Sequence, residues 1–225
     1  VSLINRALNT VDASTQRVIS SRWSADLTGS IAAPYIKLSP SENQWIQKNP
    51  VVTLATQQYP LYAFKNVDGN WEGLSVDILE RISRMTGLQF VHKESFSTVQ
   101  TLNMLKTGEA QMNTTLSMNA ERKKFLNFTY SYGGAPWVFV VRMQDSRLGS
   151  LSQLSGKVLA LPAQHVLEPL IRREYPDIIL RTVSSFDQAR KLVEKGEALA
   201  TIQNETQAYL YPSGHLKVGR SVDGR

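Results

Sequence analysis

In the run SMNAERKKFLNFTYSYG, residues 117–133, Arg122 follows Ser117 by five positions and Asn119 by three. A guanidinium is a planar fork of donors that stays charged and can bond both oxygens of a carboxylate. On composition alone Arg122 reads as one more solvated cation; only its surroundings can make it an anion clamp. A second place with chemistry is Pro162-Ala163-Gln164-His165, which lies between an apolar strand-like run and a helical one. Turns of that kind present backbone N–H groups to anions, although Pro162 has none to give. There His165 reads either as a ligand contact or as a helix cap. The chain also echoes itself: LKTGEAQMNTTLS and VEKGEALATIQN each leave a helix at Gly-Glu-Ala, run into a strand and finish on small polar residues. Ligands of open α/β sheets bind beyond the carboxyl ends of strands, so the echo points to Ser117 and Asn204.

No catalytic constellation accompanies these residues. His92, His165 and His215 fall on different segments without the spacing of a metal pair. Neither a Gly-rich phosphate loop nor a nucleophile elbow is present, and cysteine is absent, which excludes disulfides and thiolate chemistry. The expectation is therefore a binding protein rather than an enzyme, with no catalytic residue, metal or cofactor.

Composition narrows the partners. With 25 Lys and Arg against 19 Asp and Glu, the formal charge is +6 over 225 residues. The cations are scattered and form no stripe interleaved with stacking aromatics, so nucleic acid is not an expected partner. The longest apolar run, PWVFVV, is strand-sized, so any membrane contact is expected through segments outside this chain. The opening VSLINRAL carries neither Met nor a basic leader, which means a signal segment is absent or already removed.

These residues must be positioned by alternating elements. VSLINRALNTVDASTQRVISSRW has apolar positions at helical intervals with a break near Asp12, and SADLTGSIAAP reads as a linker. Ser39-Pro40-Ser41-Glu42 combines a cap, a Pro at the first helical position and a Glu three residues after the cap, and so predicts a helix start. From Val51 strands and helices alternate. VVTLAT, a helix ended by Gly87, LQFVHKE, a helix ended by Gly108 and QMNTTLS form one set, and WVFVV leads away from it. KVLALPA, HVLEPLIRREYP, IILRTV, SFDQARKLVEKG, ALATIQ and a helix from Asn204 form the second. The rhythm predicts βαβ units and hence an α/β fold of two lobes, each around a mostly parallel sheet.

Three segments carry a resemblance. YPLYAFKNVDGNWEGLSVDILERI, SMNAERKKFLNFTYSY and GKVLALPAQHVLEPL resemble, in order, the type-II periplasmic solute-binding (Venus flytrap) family. They match its aromatic-Pro-aromatic opening with G-x-x-x-D, its E-R then F-x-F-T run, and its second-lobe G-K opening. LSPSENQWIQKNPVVTLA is similar to the start of flytrap modules in BvgS/EvgS-type sensor histidine kinases, and VSLINRALNTVD to the closing helix of a preceding module.

The resemblance implies two α/β lobes joined by a hinge. Residues 1–48 would be the closing helix of a preceding module with a linker and a leading helix; 49–140 would be lobe 1 and 141–225 lobe 2, the return crossover to lobe 1 being absent from the chain. In amino-acid-binding members the Arg of the E-R motif holds the ligand carboxylate, and Arg122 matches it. Ser117 stands where the family often has a Thr on the same carboxylate, Asn119 replaces a second Thr, and Tyr59 matches an aromatic wall. Gln164 and His165 fall in the second-lobe turn. Asn204 takes the place of an Asp that neutralises the ligand ammonium, and an unpaired buried ammonium is costly. The resemblance thus implies poor binding of a standard α-amino acid, and either a small carboxylate or other anion as ligand or no ligand at all. The function it implies is extracytoplasmic sensing for a membrane histidine kinase, in the periplasm. The neighbouring module of the same polypeptide is the expected partner, and homodimerisation stays open. Alternatives are a free-standing solute-binding protein of an ABC transporter and the non-catalytic flytrap region of a membrane-bound lytic transglycosylase.

Overall fold

The computed structural model describes residues 2–11, 14–15, 19, 36–210 and 213–222. The linker expected at SADLTGSIAAP, and Val18 and Trp23 of the first helical pattern, lie outside them. The described residues divide into two compact units, one within Val1–Phe96 and Gln100–Tyr132, the other within Ser97–Val99 and Gly133–Arg225.

The first unit opens with α1 (Ser2–Thr10), whose apolar face buries Ala7 and Leu8. Helix α2 (Pro40–Lys48) starts as its sequence predicts: the Ser39 hydroxyl accepts the Glu42 N–H, and the Glu42 carboxylate accepts the Ser39 N–H at 2.8 Å. Strand β1 (Val51–Gln57) leads through the short hairpin β2 (Phe64–Lys65) and β3 (Trp71–Glu72) into α3 (Leu74–Thr86). Gly73 has to be glycine. Its φ is +127°, and a Cβ there would lie 2.5 Å from the Tyr62 carbonyl oxygen. That close approach lets Leu74 N–H donate to Leu61 O and Ser75 N–H to Tyr62 O, so α3 has its first donors satisfied by the preceding loop. Strand β4 (Gln89–Ser95) pairs in parallel with β1 from Val51↔Gln89 to Gln57↔Ser95, and α4 (Thr98–Thr107) follows. Ile78 and Ile82 of α3 meet Ala7 and Leu8 of α1 in one buried cluster.

The strand expected at QMNTTLS is reduced to a single bridge between Leu54 and Met112. The cause is Asn113. Its side-chain amide donates to Ala55 O at 2.7 Å, while its carbonyl accepts Thr115 N–H and Leu116 N–H, both at 2.8 Å. An Asx turn has replaced the ladder, and it bends the chain toward the one-turn helix α5 (Ala120–Lys123).

The second unit is a five-stranded mixed sheet. Its strands are β5 (Trp137–Arg142), β6 (Val158–Pro162), β7 (Ile179–Val183), β8 (Ala200–Asn204) and β9 (Leu216–Ser221), in the order β7-β6-β8-β5-β9. The βαβ rhythm accounts for the parallel trio β7-β6-β8. Strand β5 pairs antiparallel with β8 and β9, and β9 carries no signal that the alternation predicts. Helices α6 (Glu168–Glu174), α7 (Phe186–Glu194) and α8 (Glu205–Leu210) complete the unit. Strand β5 is apolar from Trp137 to Val141 because both its faces are covered: Phe139 and Val141 pack with Leu159, Leu161 and Ile202, and Val138 and Val140 with Ala160, Ala189 and Val193.

Candidate functional site

The expected site residues fall in two groups, one per unit. Ser117, Asn119 and Arg122 of the first unit are tied together. Asn119 caps α5 by accepting the Arg122 N–H at 2.8 Å, and Arg122 Nη1 donates to the Ser117 carbonyl at 2.6 Å. Arg122 is only 5% exposed, whereas Glu121, Lys123 and Lys124 beside it are exposed. It is therefore not the solvated cation that composition suggests. Burial lowers its guanidinium to about 10, which leaves it charged at neutral pH. A cation held out of water needs fixed oxygen partners, and the turn of α5 brings the Ser117 carbonyl to it. The Ser117 side chain itself stays exposed.

Tyr59 is positioned by a different element, the turn after β1. Its N–H donates to Ala63 O and its carbonyl accepts Ala63 N–H, while its ring lies 5.6 Å from that of Tyr62. Burial pushes its phenol above the ordinary range.

Two residues that hold this strand end carry weaker sequence signals. Asn113 anchors the start of the 113–117 loop, and Tyr132 anchors it from the other side, its hydroxyl donating to Thr114 O and lying 3.0 Å from Ser75 Oγ. The one available signal was the Asn-Thr-Thr run, a turn-forming sequence set into an otherwise strand-like segment.

In the second unit, Asn204 ends β8 and is 7% exposed. Its Nδ2 donates to Ala135 O at 3.0 Å and its Oδ1 accepts Thr206 N–H at 3.1 Å. Both ends of the amide are thus engaged with the chain. Across the β5–β8 pair it faces Trp137, whose ring meets His165 edge-on at 4.6 Å. His165 is buried, its other side against Phe186, and its Nδ1 accepts Leu167 N–H at 3.2 Å. Gln164 is exposed and left-handed at φ +64°. The geometry gathers His165 and Asn204 around Trp137 and sets Gln164 at the tip of the turn. Among the described residues no group of His, Asp and Glu could hold a metal ion.

Residues 51–218 match the bacterial extracellular solute-binding proteins, family 3. The chain belongs to this family. Family 3 membership accords with the α/β two-lobe type-II binding fold expected from the sequence, with solute binding rather than catalysis, and with a place outside the cytoplasm. Among the described residues no helix is long and apolar enough to cross a membrane. The chain is 26% identical over 226 residues to the virulence sensor protein BvgS of Bordetella pertussis, covering 98% of this chain and 18% of BvgS. To the sensor protein EvgS of Escherichia coli it is 25% identical over 210 residues, covering 90% of this chain and 17% of EvgS. The crystal structure of the Bordetella pertussis BvgS periplasmic VFT2 domain superposes with a TM-score of 0.71 at 26% identity, covering 85% of this chain and 83% of that domain. This family 3 chain therefore spans less than a fifth of the sensor proteins it is similar to.

Proposed function

We propose that the chain is an extracytoplasmic sensor module of a membrane histidine kinase. The observation that carries this reading is the extent of the likeness to BvgS. It runs over 98% of the chain and so includes the leading segment that the family 3 match at 51–218 leaves out. That segment is part of the fold, because α1 buries Ala7 and Leu8 against α3. In the proposed mechanism, closure of the two lobes about a hinge biases a kinase that lies beyond this chain.

The proposed ligand-binding residues are Arg122, as the anchor of a small carboxylate, with Ser117, Asn119 and Tyr59 in the first unit, and Gln164, His165 and Asn204 in the second. The occupied amide of Asn204 supports exclusion of the α-ammonium, because it supplies no negative charge. A carboxylate without an amine is then the preferred class, and closure without ligand is the remaining mode. Calorimetric titration with acetate and with L-alanine tests this. Acetate binding is expected to weaken at least about tenfold in Arg122→Ala, the loss of one charge-assisted pair, while L-alanine gives no signal. Tight L-alanine binding that disappears in Arg122→Ala overturns the ligand reading.

A further inference from the structure

Between β6 and α6, five backbone donors of the second unit's turn are satisfied from within the chain. Ala163 N–H donates to Val183 O at 2.8 Å, His165 N–H to Pro162 O at 3.1 Å, Leu167 N–H to His165 Nδ1 and Glu168 N–H to His165 O at 3.0 Å. Gln164 N–H, at the left-handed tip, donates to Glu168 Oε2 at 2.9 Å. The two oxygens of that carboxylate divide their work. Oε1 accepts both Nε and Nη2 of Arg172, at 3.0 and 2.8 Å, which turns Oε2 back over the turn. A carboxylate accepting a backbone N–H is what an anionic ligand would offer at such a turn.

The geometry points to Glu168 as a specificity-determining residue: its side chain takes the Gln164 N–H at the tip of the 162–168 turn, so this donor is closed to a free carboxylate. The carboxylate group of a small ligand is then held by Arg122 without the Gln164 N–H, and Gln164 and His165 are left to meet the ligand through their side chains alone. The inference deepens the ligand reading above and rests on it for the role of Arg122, but the state of the turn is independent of it. The sequence does not single out Glu168, because a glutamate in the first turn of a helix is ordinary there. Its effect comes from where the turn puts Gln164.

The test is amide NMR on the whole ¹⁵N-labelled chain, titrated with sodium acetate and followed by hydrogen exchange. In the unsubstituted protein the Gln164 amide is expected to ignore acetate and to exchange slowly. In Glu168→Ala its exchange is expected to speed up by about tenfold, the loss of one charge-assisted hydrogen bond. Glu168→Gln, which keeps an acceptor of the same length, is expected to fall between the two and serves if Glu168→Ala does not fold. A saturable shift of the Gln164 amide with acetate in the unsubstituted protein overturns the proposal, and so does unchanged exchange in Glu168→Ala. The Nε–H signal of Arg122 is read in the same titration. If it stays still while Gln164 behaves as expected, the Arg122 reading fails and the role of Glu168 stands.

Discussion

Arg122 and Asn204 show how a side chain changes meaning once its partners are known. Arg122 sits among charged neighbours in the sequence, yet the single turn of α5 buries it and leaves those neighbours in water. Asn204 at first reads as an Asp that has lost its charge. In the structure it is a cross-link, with its donor on Ala135 and its acceptor on Thr206. Asn204→Asp should therefore not restore an amino-acid site. It removes the donor and sets a carboxylate against the Ala135 carbonyl, an expected loss of about 1–3 kcal/mol. The melting temperature should fall at neutral pH and recover in part in acid, where the protonated carboxyl can donate again. An unchanged melting temperature would remove Asn204 from the structural account.

Among the elements, α1 is the helix that its periodicity predicts, whereas the 111–116 segment departs from the strand expected there. Helix α1 lies outside the family 3 match but belongs to the core of the first unit. Asn5 Oδ1 accepts the Tyr130 N–H at 2.9 Å, and Arg6 pairs with Glu42 of α2, so the helix is held by polar contacts at its flanks. Leu8→Ala should cost about 2–5 kcal/mol, the usual range for truncating a buried leucine. Asn9→Ala, on the exposed side, should stay within about 0.5 kcal/mol. Urea denaturation of the two variants checks the contrast, and equal midpoints would mean that α1 contributes nothing to the stability of the unit. The 111–116 segment shows the reverse case, in which one side chain dismantles an expected strand.

Over the whole molecule, acid should act in two stages. Burial lowers His92, stacked on Trp71 and bonded to Thr56, below its ordinary 6.5. The unfolded chain then binds a proton that the folded chain resists, so stability should begin to fall as pH drops below 6.5. Glu94 is lowered by hydrogen bonds from Lys65 and then Gln58, and Glu42 to about 2 by the Ser39 backbone and then Arg6. Their contribution is complete above the ordinary 4.5 and is lost from there downward, for Glu42 toward pH 2. Urea midpoints measured against pH should show both stages. His92→Gln should flatten the upper one and Glu42→Gln the lower, and a profile that neither variant changes would contradict these assignments.

By itself the sequence determined what depends on neighbours a few residues away. The Ser39–Glu42 capping box, the helix stop at Gly87 and the βαβ rhythm are local: each rests on a hydrogen bond or a burial pattern within one or two turns. The run of motifs from Tyr59 to Gln164 likewise accorded with family 3. Only the tertiary structure decided the features set by residues distant in the chain. Met112 reaches Leu54 only as a bridge because Asn113 bonds to Ala55, and β9 exists because it finds the edge of β5. The amide of Asn204 is engaged because β5 brings Ala135 to it. Hydrogen-bond satisfaction is a property of the assembled chain, and periodicity in a sequence carries no record of which donor a carbonyl will meet.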